Sequence, residues 1–152
     1  MKNEDVILRV ANHNDSAQMA EIEKKCFSEP WSEDAFKDAL KNEDYLYVVA
    51  LNENIIVGMA GIIISADGGY VTNVAVLPEY RNKGIAFKIL EELMIQGINK
   101  GVCSYMLEVR ESNTSAIKLY EKIGFVNVGK RPGMYEHPHE DAYVFTKDII
   151  DG

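Results

Sequence analysis

The sequence predicts an α/β protein, a mixed sheet with helices packed on its faces, and three observations lead there. Helix-like and strand-like stretches mix along the chain instead of segregating into blocks. The early strands are joined by links of hairpin length, which argues antiparallel pairs beside any parallel ones. The chain has 152 residues, 47% hydrophobic and 26% charged, so one ordinary domain (residues 1–152) with a good core is expected.

VILRV (Val6 to Val10) reads as the first strand. Asp15 can cap a helix running to about Cys26, with Ala17, Ala20, Ile22 and Cys26 as its less polar positions. The chain breaks at Pro30, and a second helix starts near Ser32 with Glu33 and Asp34 in its first turn. YLYVVAL and IIVGMAGIII are strands joined by the turn NEN, and GYVTNVAV is a strand ending at Pro78. The longest helix spans about Gly84 to Lys100, with Ile85, Ile89, Leu93 and Met94 as its buried stripe and Gly101 as its stop. YMLEV follows as a strand. A helix then runs from about Thr114 to Ile123, capped by Asn113 or Ser112 and closed by Gly124. FVNVGKR and DAYVFTK are the last strands.

The formal net charge of −8 disfavours a sequence-independent grip on DNA or RNA, which needs clustered Lys and Arg. It suits a cationic partner or plain solubility. No apolar run reaches the roughly 20 residues that span a bilayer, so no membrane association is expected. The polar N-terminus MKNEDVILRV lacks an apolar signal core. Cys26 and Cys103 read as free thiols of a reducing compartment, so a cytoplasmic location is expected.

Two stretches carry chemistry. In YMLEVR, Glu108 sits on a strand between Leu107 and Val109. Alternation sends those two to one face and Met106, Glu108 and Arg110 to the other. A carboxylate placed there is a general base with its pKa raised by apolar surroundings, or a structural ion-pair member, Arg110 being the nearest partner. In VAVLPEYRNKGIAFKIL, a strand feeds the loop RNKGIA and then the long helix. A helix N-terminus presents free N–H groups to a phosphate, Gly84 permits close approach, and Arg81 and Lys83 add charge. A tight strand–helix turn would look the same on this fragment. HPHEDA (His137 to Ala142) groups histidines and acids without metal-ligand spacing, so a solvated loop and no metal are expected. Trp31, after Pro30, reads as a hydrophobic anchor between two helices.

VAVLPEYRNKGIA, the long helix, LEVR, the SN pair and LYEKIGF together resemble the GCN5-related N-acetyltransferase (GNAT) family over nearly the whole chain. The family signature Arg/Gln-x-x-Gly-x-Gly/Ala is matched by Arg81, Gly84 and Ala86, with alanine where glycine is commoner. The resemblance implies a central mixed, mostly antiparallel sheet of about seven strands flanked by about four helices. It implies acetyl-CoA as the acetyl donor. The Val74, Ala75 and Val76 backbone would pair with the pantetheine arm, as an added strand does. The Asn82, Lys83, Gly84, Ile85, Ala86 and Phe87 backbone would cradle the pyrophosphate, with Arg81 beside it. A strand N–H would meet the acetyl oxygen.

Glu108 is then the general base, because an α-amine with a pKa of about 7.7–8.0 must lose a proton to attack. Tyr120, otherwise a core aromatic, matches the residue that protonates the leaving thiolate. Asn113 matches a cofactor contact and remains a helix cap, since the two use different atoms.

CFSEPWSEDAF, LEVRESNTSAIKLYEKIGF and KRPGMYEHPHEDAYVF resemble, within the family, the bacterial ribosomal-protein-alanine N-acetyltransferases. That implies an N-terminal segment of a ribosomal protein as partner, direct transfer in a ternary complex, and a monomer or weak dimer. Met134 stands before Tyr135 where that group often has two adjacent aromatics. Enzymes of the same fold acting on lysine, a small amine or aminoacyl-tRNA, and an acetyl-CoA-binding module without activity, are the rival readings.

Overall fold

The computed structural model describes residues 6–136 and 139–149. Its elements are β1 (Ile7–Val10), α1 (Ser16–Cys26), α2 (Glu33–Lys41), β2 (Tyr45–Asn52), β3 (Ile55–Ser65), β4 (Gly68–Val76), α3 (Ile85–Asn99), β5 (Ser104–Arg110), α4 (Thr114–Ile123), β6 (Val126–Glu136) and β7 (His139–Asp148). The strands form a seven-stranded sheet in the order β1-β2-β3-β4-β5-β7-β6. Every neighbouring pair is antiparallel except β4–β5. This is the mixed, mostly antiparallel sheet with four helices that the sequence implied.

The hairpin NEN works because Glu53 and Asn54 adopt positive φ, 51° and 69°, the twist that a two-residue link between antiparallel strands requires. The start of α1 differs from expectation. Asp15 makes no side-chain cap; Asn12 caps a preceding short turn in a reciprocal box with Asp15. The reason is Arg9 on β1, whose guanidinium grips the Asp15 carboxylate at 2.7 and 2.8 Å. That hydrogen-bonded cation holds the Asp15 pKa below the usual carboxylate range. The stripe Ile85, Ile89, Leu93 and Met94 of α3 is buried as the periodicity required. β6 runs five residues past Arg131, to Glu136, through Pro132. An edge strand tolerates that proline because one of its sides needs no ladder hydrogen bonds.

The two faces of the sheet carry different helices. On one, α3 packs so closely that Tyr105 donates to the Met94 carbonyl at 2.8 Å, and a Cβ on Gly97 would collide with the Tyr105 hydroxyl. On the other, Phe36 of α2 meets Tyr47 edge-on with ring centroids 5.8 Å apart, and the Tyr47 ring lies over Gly61.

The parallel β4–β5 ladder is short: only Gly69 with Tyr105 and Tyr70 with Met106 are paired. The reason lies one strand over. The β3–β4 register skips Thr72, pairing Val71 with Ile62 and Asn73 with Gly61. Such a bulge bends a strand and increases its twist, so β4 veers from β5. A cleft of about 1150 Å³ opens between them.

Candidate active site

β4 presents part of its edge to this cleft. The Leu77 N–H donates to the Val57 carbonyl, and alternation along an antiparallel pair then turns the backbone groups of Val74 and Val76 toward the gap. Those of Ala75 point to β3, opposite Met59. The Val76 carbonyl accepts from Arg81 Nε at 2.9 Å and from the Cys26 thiol at 3.6 Å. Arg81 thus braces the strand–helix loop, a role beyond the phosphate charge expected of it.

The loop itself is shaped by positive φ at Asn82 (62°) and Gly84 (78°). Gly84 is the N-cap of α3 and supplies no side chain to its free amides. A Cβ on Gly84 would meet nothing within 4 Å. The N–H groups of Ile85, Ala86 and Phe87 therefore face an open concavity, chemistry that fits a pyrophosphate. Lys122 of α4 lies 5.0 Å from the centre of the Phe87 ring on the same side.

Glu108 lines the cleft with its side chain only 3% exposed. Its partners differ from the expected ones. Tyr70 donates to Oε1 at 2.5 Å, and the Arg131 guanidinium lies 2.7 Å from Oε2. That second contact is an ion pair outside hydrogen-bond alignment, so Oε2 is buried without a hydrogen-bonded donor. Arg110, the partner expected from spacing, pairs with Glu140 at 3.3 Å and stacks over Tyr135 at 4.1 Å. The pleat explains the exchange. The register brings Arg131 of β6 and Arg110 of β5 to the same residue, Ala142 of β7, so Arg131 reaches back over β7.

Tyr120 lines the same cleft from α4. It is 8% exposed and packs edge-on against Phe125 at 6.0 Å, so the core-aromatic role and the site role coincide. Burial pushes its pKa up to about 12, which keeps the hydroxyl protonated at neutral pH. Asn113 is the cap of α4: its Oδ1 accepts from the Ala116 N–H at 3.2 Å, and the residue borders the cleft. Trp31 is both anchor and wall, 5.3 Å from Phe36 by ring centroid and bordering the cleft. Met134 and Tyr135 border it from β6. His137 and Pro138 of HPHEDA lie outside the described residues.

Sequence reasoning missed Tyr70, Arg131 and a buried acid, Glu23 of α1. Glu23 is 4% exposed and borders the cleft. Its carboxylate accepts from Asn73 Nδ2 at 3.1 Å and from the Trp31 N–H at 3.5 Å. Desolvation raises its pKa, opposed by those two hydrogen bonds. A charged residue inside a helical apolar stripe was the available signal, since Ile22 and Cys26 flank it.

The acetyltransferase (GNAT) family model matches residues 16–125. A [ribosomal protein bS18]-alanine N-acetyltransferase of Haemophilus influenzae is 39% identical over 135 residues, 87% of this chain and 91% of that protein. Its counterpart in Escherichia coli is 32% identical over 130 residues, 84% and 87% of the two chains. The crystal structure of the Escherichia coli ribosomal-protein-S18-alanine N-acetyltransferase superposes with a TM-score of 0.86 at 29% identity, covering 97% of this chain and 96% of that one. Arabidopsis thaliana NAA60 in complex with acetyl-CoA shares the fold, with a TM-score of 0.84 at 22% identity over 97% and 99%. The family signature seen at Arg81, Gly84 and Ala86 therefore sits in a matching fold, and the chain belongs to the GNAT acetyltransferase family, the acetyl-CoA-dependent acyltransferases.

Proposed function

We propose that this protein acetylates the α-amino group of an N-terminal alanine on a small-subunit ribosomal protein, in the cytoplasm, by direct transfer from acetyl-CoA in one ternary complex. The observation that carries this reading is the shared cleft. A buried carboxylate, Glu108, and a protonated phenol, Tyr120, border the same space as the uncapped amides of α3. The alanine and ribosomal parts of the reading are supported by what the similar bacterial proteins are named for.

Acetyl-CoA supplies an acetyl group activated as a thioester. The amides of Ile85, Ala86 and Phe87 would hold its pyrophosphate, and the outward backbone groups of Val74 would align its extended arm. The Val76 N–H, turned to the gap, would meet the acetyl oxygen where negative charge develops. Glu108 takes the proton from the acceptor's ammonium, directly or through a water, which frees the lone pair that forms the C–N bond. Tyr70 fixes the orientation of that carboxylate. Tyr120 gives its proton to the sulfur as the C–S bond breaks, the thiol pKa of about 8.5 making it a fair leaving group, and the second proton shed by the new amide nitrogen restores the phenol. Asn113 caps the N-terminus of α4, the helix that carries Tyr120 toward its other end.

The test is an acceptor panel with acetyl-CoA: a peptide of the ribosomal protein's N-terminus beginning with alanine, the same peptide blocked at its N-terminus but carrying lysine, and polyamines. Mass spectrometry locates the acetyl group. Modification of the free α-amine alone is expected. Turnover on lysine or polyamine in its place would move the enzyme to another acceptor class, and cofactor binding without any turnover would make it a binding module.

A further inference from the structure

We propose that Glu23 is an acceptor-binding residue, the carboxylate that receives the incoming α-ammonium group before its proton passes to Glu108. The inference rests on the N-terminal acetyltransferase reading above. Glu23 and Glu108 stand on the same face of the sheet. Asn73, which holds Glu23, also binds the hydroxyl of Tyr47 at 3.0 Å, and Tyr47 lies on the α1–α2 face. Glu108 points to that face too, because Leu107 and Val109 fill the opposite one beside Tyr105. The two acids thus flank the gap between β4 and β5, both bordering the same cleft.

They differ in one respect. Glu108 has the guanidinium of Arg131 beside it, whereas both hydrogen-bond partners given above for Glu23 are neutral. Among the described residues, the groups that face Glu23 include the Tyr47 phenol from β2, the Asn73 amide from β4 and the Trp31 N–H that follows α1. Arg81, which reaches Cys26 three residues further along α1, directs its Nε to the Val76 carbonyl. The side chains that α2 buries are Phe36 and Ala39, neither of them charged. A buried carboxylate with neutral partners is unfavourable in the empty site and favourable once a cation arrives. Glu29 and Glu136 also line the cleft, whose lining cations are Arg81, Lys122 and Arg110, the last paired with Glu140.

The test compares wild type, Glu23→Gln and Glu23→Asp in thiol release with the alanine peptide at pH 7 and pH 9.5. It is paired with calorimetric binding of the free and the N-formylated peptide to the CoA-loaded protein. An α-amine with a pKa of about 7.7–8.0 is mostly cationic at the first pH and mostly neutral at the second. Glu23→Gln is expected to raise the peptide KM about tenfold at pH 7 and less than threefold at pH 9.5, with kcat nearly unchanged. It is expected to erase most of the preference for the free over the formylated peptide. Glu23→Asp, which keeps the charge, is expected to retain the pH dependence with a smaller loss. An equal rise in KM at both pH values, or an equal loss for both peptides, would make Glu23 a structural brace and overturn the proposal. An unchanged KM would overturn it too. Absence of wild-type turnover on any α-amine would instead remove the acceptor reading itself, and this inference with it.

Discussion

The two ends of the cleft are built from different materials. The α3 end is made of backbone: uncapped amides, two residues at positive φ and the outward edge of β4. The β6 and α1 end is made of side chains from five elements and one loop: Glu23 on α1, Trp31 in the loop after it, Tyr70 and Asn73 on β4, Glu108 on β5, Tyr120 on α4 and Tyr135 on β6. A backbone site is specified by one consecutive stretch, here residues 74–87. A side-chain site is specified by register and packing over the whole chain, so it can change acceptor without disturbing the donor end.

Substitutions at each end sharpen that contrast. Tyr120→Phe leaves the packing with Phe125 intact and removes only the donating hydroxyl. A fall in kcat of about 10²-fold is expected, at the low end for lost acid catalysis because a thiolate leaves without much help. Steady-state rates at saturating substrates would show it, and a loss confined to KM would return Tyr120 to a purely structural place.

Gly84→Val belongs to the donor end. The side chain finds open space in the free protein but must adopt φ near 78°, a conformation that costs about 1–2 kcal/mol for a residue with a Cβ. Filling the concavity adds to that. The KM for acetyl-CoA is expected to rise about tenfold, roughly 1.4 kcal/mol, with the peptide KM unaffected. A matching change in peptide KM would mean that the two ends are not separable.

The smallest effect is on stability. The folded-state pKa of Glu23 is raised by burial, so the native state holds its proton more tightly than the unfolded chain. Stability from this group is present at low pH and declines as pH rises above the ordinary carboxylate value of about 4.3. Thermal melting of ligand-free Glu23→Gln is therefore expected to gain on wild type as pH rises from about 4 to neutrality. A gap that does not change with pH would mean that Glu23 titrates alike in both states. Asp15 behaves oppositely. Its lowered pKa makes the Arg9 pair stabilising above the unfolded value of about 3.9 and progressively lost below it. Asp15→Asn is expected to lower Tm at pH 7, without touching kcat, and to match wild type near pH 2.

The contrast also explains what could be read from the sequence. The α3 stripe, the Asn113 cap, the Gly84 loop and the outward face of Glu108 follow from periods and neighbours within one element. The partners of Glu108 do not. Tyr70 is 38 residues away, brought there by a two-residue parallel ladder. Arg131 arrives only because β7 inserts between β5 and β6. Arg110 looked right by spacing, yet Glu140 on the adjoining strand takes it. Glu23 and Asn73 are 50 residues apart, joined across an α1–β4 contact that no local pattern announces. The Asp15 cap failed for the same reason, a competing arginine on another strand.

The most direct test of the account is thiol release from acetyl-CoA in the presence of the alanine peptide, measured for wild type and Glu108→Gln, with acetyl-CoA binding measured for both. Glutamine keeps the shape and the Tyr70 contact but cannot take the amine's proton. The account predicts unchanged acetyl-CoA affinity, a product carrying its acetyl group on the α-amine, and a kcat lower by about 10²–10⁴-fold in the variant. Near-wild-type turnover by Glu108→Gln would contradict it, because the proton would then leave by another route.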